Sequence, residues 1–173
     1  MSTPLTERTW TGPSAPERLA LLRRTRSIAI VGASDKPERA SYFVATYLLS
    51  STTFDVYFVN PVLAEAGKQI LGHRVYATLE DLPVVPDLVE VFRKAADAPG
   101  VVADAHAVGA KAVWLQLGIW NEDAAALAES HGMDVVMDRC VKIEHARFHG
   151  GLHLAGFNTG EITSRKQRVS ARR

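Results

Sequence analysis

The chain holds a single cysteine, Cys140, in 173 residues. No intramolecular disulfide and no all-cysteine metal site can form, which favours a reducing compartment. Long apolar runs are missing too. Nothing approaches the roughly 20 residues that a membrane-crossing helix needs, and residues 1–25 lack the apolar stretch of a signal peptide. The expectation is a cytoplasmic protein without membrane contact. Charge of one sign is also scarce: 20 Lys and Arg against 19 Asp and Glu leave a formal charge of +1. No global field draws the chain to nucleic acid. Two phosphate signatures are absent as well. The three-glycine dinucleotide fingerprint is reduced to Gly32, and Gly67-Lys68 is followed by Gln69, not by the magnesium-binding hydroxyl of a Walker-type loop.

What is present is apolar material in short, regular blocks. Hydrophobic residues make up 47% and charged residues 23%, enough for one domain with a continuous core and no staples. Ile28, Ala29, Ile30 and Val31 run into Gly32 and a polar turn, and helical spacing begins near Ser41. This is a strand, a phosphate-type loop and a helix. Further strands are expected at residues 54–59, 88–92, 112–117 and 134–137, with a brief one at 74–76. Helices are expected at 17–24, 41–49, 99–108 and from Asn121 to Gly132. Strands alternating with helices of this length predict an α/β fold with a mainly parallel, doubly wound sheet and helices on both faces. The chain divides into an extension (1–16), the α/β domain (17–144) and a C-terminal extension (145–173) with a basic tail. That tail, residues 164–173, carries five basic residues and reads as solvated.

In such a sheet, ligands sit beyond the carboxyl ends of the strands. That rule gathers Gly32-Ala33-Ser34, Asn60-Pro61, Arg93-Lys94, Gln116-Leu117-Gly118 and Asp138-Arg139-Cys140. Backbone N–H groups after Gly32, with the Ser34 hydroxyl, suit a pyrophosphate, and Lys36 or Arg39 would neutralise it. An NAD(P) domain is the weaker alternative, because Asn60-Pro61 stands where an acidic residue would hold the ribose. Cys140 next to Arg139 raises a second alternative, thioester chemistry at a thiolate. His145, His149 and His153 recur every four residues, but Gly150-Gly151 interrupts the helix that a metal site would need, so they read as surface or locally packed side chains.

The ordered set Val31-Gly-Ala-Ser-Asp-Lys-Pro37, Asn60-Pro61, Ala66-Gly-Lys68 with Leu71-Gly72, Asp87-Leu-Val-Glu-Val-Phe-Arg93, Gly109-Ala-Lys-Ala-Val-Trp-Leu-Gln-Leu-Gly118 and Val135-Val-Met-Asp-Arg-Cys140 resembles the small CoA-binding proteins. These are similar to the CoA-binding N-terminal domain of the succinyl-CoA synthetase alpha subunit. The resemblance implies a Rossmann-like five-stranded sheet in the order 3-2-1-4-5, with coenzyme A or acyl-CoA across the strand ends. It implies phosphate contacts at Gly32, Ala33 and Ser34, with Lys68 and Arg39 as a clamp. Val91, Phe92 and Arg93 would border the adenosine or pantetheine path. Gln116, Leu117 and Gly118 would line the neighbouring crevice, closed by residues 137–140. The synthetase's phosphohistidine domain has no counterpart after Glu144, so CoA binding carries over and CoA ligation does not. A binding protein without catalysis of its own is therefore expected. The other class is an interaction protein, a homo-oligomer or the partner of another protein, with its cofactor as a switch.

Overall fold

A computed structural model describes residues 7–149 of the chain. His153, the glycine-rich stretch 156–160 and the basic tail lie outside the described residues.

Three helices begin where the sequence offers a side-chain cap. Ser14 and Glu17 form a reciprocal capping box ahead of α1 (Ala15–Arg24), and Asn60 and Asn121 cap α3 (Pro61–Glu65) and α5 (Glu122–Ser130) with their side-chain oxygens. Each oxygen satisfies a first-turn N–H that the helix cannot pair. Helix α2 (Ala40–Ser51) starts differently: Arg39 at its N-cap makes no side-chain capping bond. Strands β1 (Ser27–Val31), β2 (Asp55–Val59), β3 (Gln69–Ile70), β4 (His73–Tyr76), β5 (Leu88–Val91), β6 (Ala112–Leu115) and β7 (Asp134–Val136) build one sheet. Its order is β3-β4-β2-β1-β5-β6-β7.

The Rossmann-like, mainly parallel sheet stands as expected, but it has seven strands where five were expected. The five central strands run in the expected order 3-2-1-4-5, counting parallel strands along the chain. The parallel strand β7 extends one edge, and β3 adds an antiparallel pairing at the other. A two-residue turn, Leu71-Gly72, with both residues at positive φ, closes that β3–β4 hairpin.

Side chains alternate between two cores. Helices α1, α2 and α6 (Val141–His149) cover one face, and α4 (Ala98–Ala107) and α5 cover the other. Register places Val75, Phe58, Ile30, Glu90, Trp114 and Val136 in one row across the first face. Glu90 is the one polar residue in that row, and it is fully buried.

From Val141 to His149 the described chain is helical. Helix α6 runs through the expected boundary between Glu144 and His145, burying Val141, Glu144, His145 and Phe148 on one face. Glu144 accepts from Arg18 Nε at 2.9 Å and from Arg139 at 3.3 Å, and Arg147 approaches to 4.0 Å. Arg18 and Glu144 are both 3% exposed at their side chains, so this ion pair fastens α6 to α1 inside the protein. Replacing Glu144 by Ala leaves buried cations without their counter-charge, which costs about 3–5 kcal/mol. Breaking the exposed Arg24–Asp134 pair through Arg24→Ala costs below about 1 kcal/mol. Urea unfolding of both variants checks this, and equal losses would show that α6 is not fastened by Glu144.

Candidate functional site

The site begins where β1 stops. Gly32 has φ +84°, and a Cβ there would lie 3.0 Å from the backbone carbonyl carbon and oxygen of Phe92. Only glycine combines that conformation with that approach. The Gly32 N–H donates to the Val59 carbonyl at 3.1 Å, and the Ala33 N–H points to the same oxygen at 3.4 Å. The donors left for an anion therefore lie further along. Neither Ser34 nor Asp35 uses its N–H in a hydrogen bond among the described residues. The Ser34 Oγ accepts from the Lys36 N–H at 3.1 Å, which folds the loop back and keeps the hydroxyl proton available. The first-turn N–H groups of uncapped α2 follow at once.

Asn60 braces this loop. Its Nδ2 donates to the Ala33 carbonyl at 2.8 Å, and its Oδ1 accepts from the Leu63 N–H at 3.1 Å. Both ends of the amide are thus engaged in holding the loop and starting α3. Lys68, from the segment after α3, reaches back to Asp35 at 3.5 Å and sets an ammonium group beside the loop.

Two adjoining depressions open at these strand ends. A cleft of about 700 Å3 is bounded by Gly32, Val59, Pro61, Thr78, Arg93 and α4. Next to it lies a groove of about 780 Å3 with Lys68, Arg74 and Tyr76 on its walls. Pro61 and Ala77 belong to both, so cleft and groove adjoin as one path over the strand ends. Arg74 stacks its guanidinium 4.7 Å from the Tyr76 ring centre, a contact that keeps its donors oriented. Arg93 pairs with Asp97 at 3.2 Å on the opposite wall.

The structure thus brings Gly32, Pro61, Arg93 and Lys68 to one path, with Ser34 in the loop beside it. Lys36 and Arg39 are exposed on the same loop. Val91 is fully buried beneath the site, and Phe92 packs its side chain against the first core. Gln116, Leu117, Gly118 and Cys140 do not line this path. Gln116 is buried, Leu117 is exposed, and Cys140 packs against the core on the α1, α2 and α6 side. Near them Asp138, at φ +56°, accepts from the Gly118 N–H at 2.7 Å and pairs with Arg8. Burial pushes the Asp138 carboxyl up, but the Gly118 N–H and the charges of Arg8 and Arg139 outweigh it and hold it below the usual range. The N-terminal segment is fixed along this edge, with Thr9 and Trp10 N–H groups on Glu122 and the Trp10 ring edge-on to Trp120.

Sequence reasoning passed over Arg74, Thr78, Glu80 and Asp104, which line the path. It also passed over Glu90, whose visible signal is a carboxylate inside the otherwise apolar run Leu88-Val-Glu-Val91. Neither Glu90 oxygen has a hydrogen-bond partner among the described residues, and burial pushes its carboxyl well above the usual range.

A Gly-turned loop at the carboxyl ends of a parallel sheet, flanked by cations, defines a Rossmann-like domain of the kind that accepts a phosphate-bearing cofactor. Residues 26–146 match the CoA binding domain family. The uncharacterized protein YneT of Bacillus subtilis (strain 168) is 34% identical over 134 residues, 78% of this chain and 96% of that protein. A hypothetical protein from Pyrococcus horikoshii OT3 superposes with a TM-score of 0.75 at 35% identity, over 84% of this chain and all of that one. The dinucleotide forming acetyl-coenzyme A synthetase 1 of Ca. Korarchaeum cryptofilum shares the fold at 24% identity and a TM-score of 0.59, over 68% of this chain and 28% of that one. The chain belongs to the CoA binding domain family.

Glu90 supplies a test of the site's foundation. A folded-state pKa above the unfolded one gives stability that is full below about pH 4.5 and is lost as pH rises. Glu90→Gln removes that loss, so the variant melts higher than the parent at pH 7.5, and the difference fades toward pH 4. A lower melting temperature at pH 7.5 would contradict an unpaired carboxyl.

Proposed function

We propose that the protein binds coenzyme A or an acyl-CoA along this path and carries out no catalytic step of its own. The observation that carries this reading is that the Gly32 cleft adjoins, at Pro61 and Ala77, the groove that holds Lys68 and Arg74. A cofactor with a diphosphate and a further ribose phosphate needs two separate anion positions. The free N–H groups of Ser34 and Asp35, backed by the α2 N-terminus, suit the diphosphate. The cations across Pro61, Lys68 above all, suit the additional phosphate.

The residues present fit that cofactor in chemistry and in size. Backbone donors bind phosphate without a side chain that could crowd it, and Gly32 keeps the passage open. Asn60 orients the loop through the Ala33 carbonyl. Asp35 holds Lys68 near the loop and would release it to a phosphate, a stronger partner. Arg93 and Asp97 set a polar rim for the ribose or the pantetheine amides. When bound, coenzyme A supplies the thiol that carries an acyl group. NAD(P) fits less well, because no acidic side chain follows β2 and the Asn60 amide is already engaged at both ends.

Calorimetry is expected to rank CoA above dephospho-CoA, and both above NAD; equal or absent binding of all three would overturn the reading. Lys68→Ala should weaken CoA by about tenfold, the scale of one charge-assisted contact, and dephospho-CoA much less. An equal loss for both would remove Lys68 from the additional phosphate. Gly32→Ala, which drives a Cβ against the Phe92 backbone, should abolish CoA binding; unchanged affinity would place the ligand elsewhere.

A further inference from the structure

A second cavity opens at the other end of the sheet, where β1 and β2 begin and α6 ends. Its volume is about 350 Å3, and Arg23, Arg26, Thr53, Asp55, His145 and His149 stand on its walls. Neither arginine takes part in an ion pair among the described residues. Among the described residues, Asp55 is the single acidic one on the lining. Two permanent cations against one carboxylate leave the cavity positive before any imidazole is counted.

The two histidines are held in place. His145 is only 8% exposed. Its Nδ1 lies 2.9 Å from the Tyr47 hydroxyl, and Phe54 meets its ring edge-on. Its ring stacks on His149 with centres 4.2 Å apart, and His149 Nδ1 donates to the His145 carbonyl at 3.1 Å. A neutral His145 that accepts from Tyr47 through Nδ1 carries its proton on Nε2, which leaves the ring one donor at a residue that lines the cavity. Parallel stacked rings cannot converge on one metal ion, and two guanidinium groups repel a cation. The same groups match an oxyanion, because guanidinium forks and an imidazole N–H all donate.

We propose that this cavity binds a phosphate dianion, free or carried by a small monoester, between Arg23, Arg26 and the His145–His149 pair. The site is independent of the CoA path, which lies at the opposite strand ends. Helix α6 (Val141–His149) ends at this cavity, with His145 and His149 of its last turns on the wall. An anion at its last turn therefore fastens the helix that Glu144 fastens near its first. Burial, and then His149, push His145 down to about 4, so the ring is neutral at pH 7. The groups around it are Tyr47, His149, Asp55 and the two arginines, and a bound dianion would pull the His145 titration upward.

Histidine ring NMR of the full chain tests this, with inorganic phosphate added in the millimolar range at ionic strength held constant by chloride. The His145 and His149 signals should shift saturably while those of His106 and His131 stay in place, and the melting temperature should rise with phosphate. The double variant Arg23→Ala/Arg26→Ala, both positions exposed, should weaken phosphate at least about tenfold and leave CoA affinity unchanged. A parallel titration with methyl phosphate separates the sources: equal response supports a monoester ligand, and response to inorganic phosphate alone supports the free ion. Absence of a saturable shift at His145 and His149, or a double variant that titrates like the parent, would overturn the proposal.

Discussion

One carbonyl sets the geometry of the candidate site. Val59, the last residue of β2, accepts from Gly32 and faces the Ala33 N–H as well. That contact turns the chain out of the sheet directly after β1, against the Phe92 backbone, where a side chain does not fit. The next two N–H groups, of Ser34 and Asp35, are left without a hydrogen bond among the described residues, and α2 begins at Ala40 without a side-chain cap. Asn60 and Lys68 then hold the loop from the β2 side through Ala33 and Asp35. The anion-accepting character proposed for this loop would thus come from how β1 and β2 end, not from any one side chain.

The protein places charged groups in its interior on the face away from the cleft. Glu144 gathers Arg18, Arg139 and Arg147 around one carboxylate, and Glu90 stands unpaired in the central strand. These differ in consequence. A paired buried charge makes the position of α6 specific, because any shift separates opposite charges in a medium that screens poorly. An unpaired carboxyl is kept neutral and costs stability as pH rises. The Trp114 Nε1–H bond to the Arg139 carbonyl, at 2.8 Å, ties the two regions through the turn that precedes α6.

Most of the fold was legible because its strands are continuous apolar runs that stop at glycine, asparagine or proline. Ile28 to Gly32 showed a strand and a turn in one stretch, and the ordered motifs from Val31 to Cys140 added the family. What escaped notice did so for definite reasons. The β3–β4 hairpin turns on Leu71-Gly72, and leucine at positive φ is not a turn signal. Helix α6 hid its buried face because Glu144, His145 and Arg147 lie on it, so no apolar period marked it. Arg74 faces the groove because β4 pairs with β2, a long-range register that a single sequence does not display. Gln116 to Gly118 and Cys140 were gathered by the strand-end rule but do not line the cleft; for Cys140 the reason is the face, because it packs on the α1, α2 and α6 side while the cleft opens toward α4.

The two ends of the sheet emerge with different chemistry: a Gly-turned loop and an extended, mixed-charge path at one, a small arginine and histidine cavity at the other. Backbone amide NMR with CoA is the most direct test of the central claim, that the loop after Gly32 is the phosphate seat. Adding CoA should move the amides of Ser34, Asp35 and the first turn of α2 most, with Lys68 following. Undisturbed Ser34 and Asp35 amides under saturating CoA, or shifts confined to the far end around His145, would contradict it.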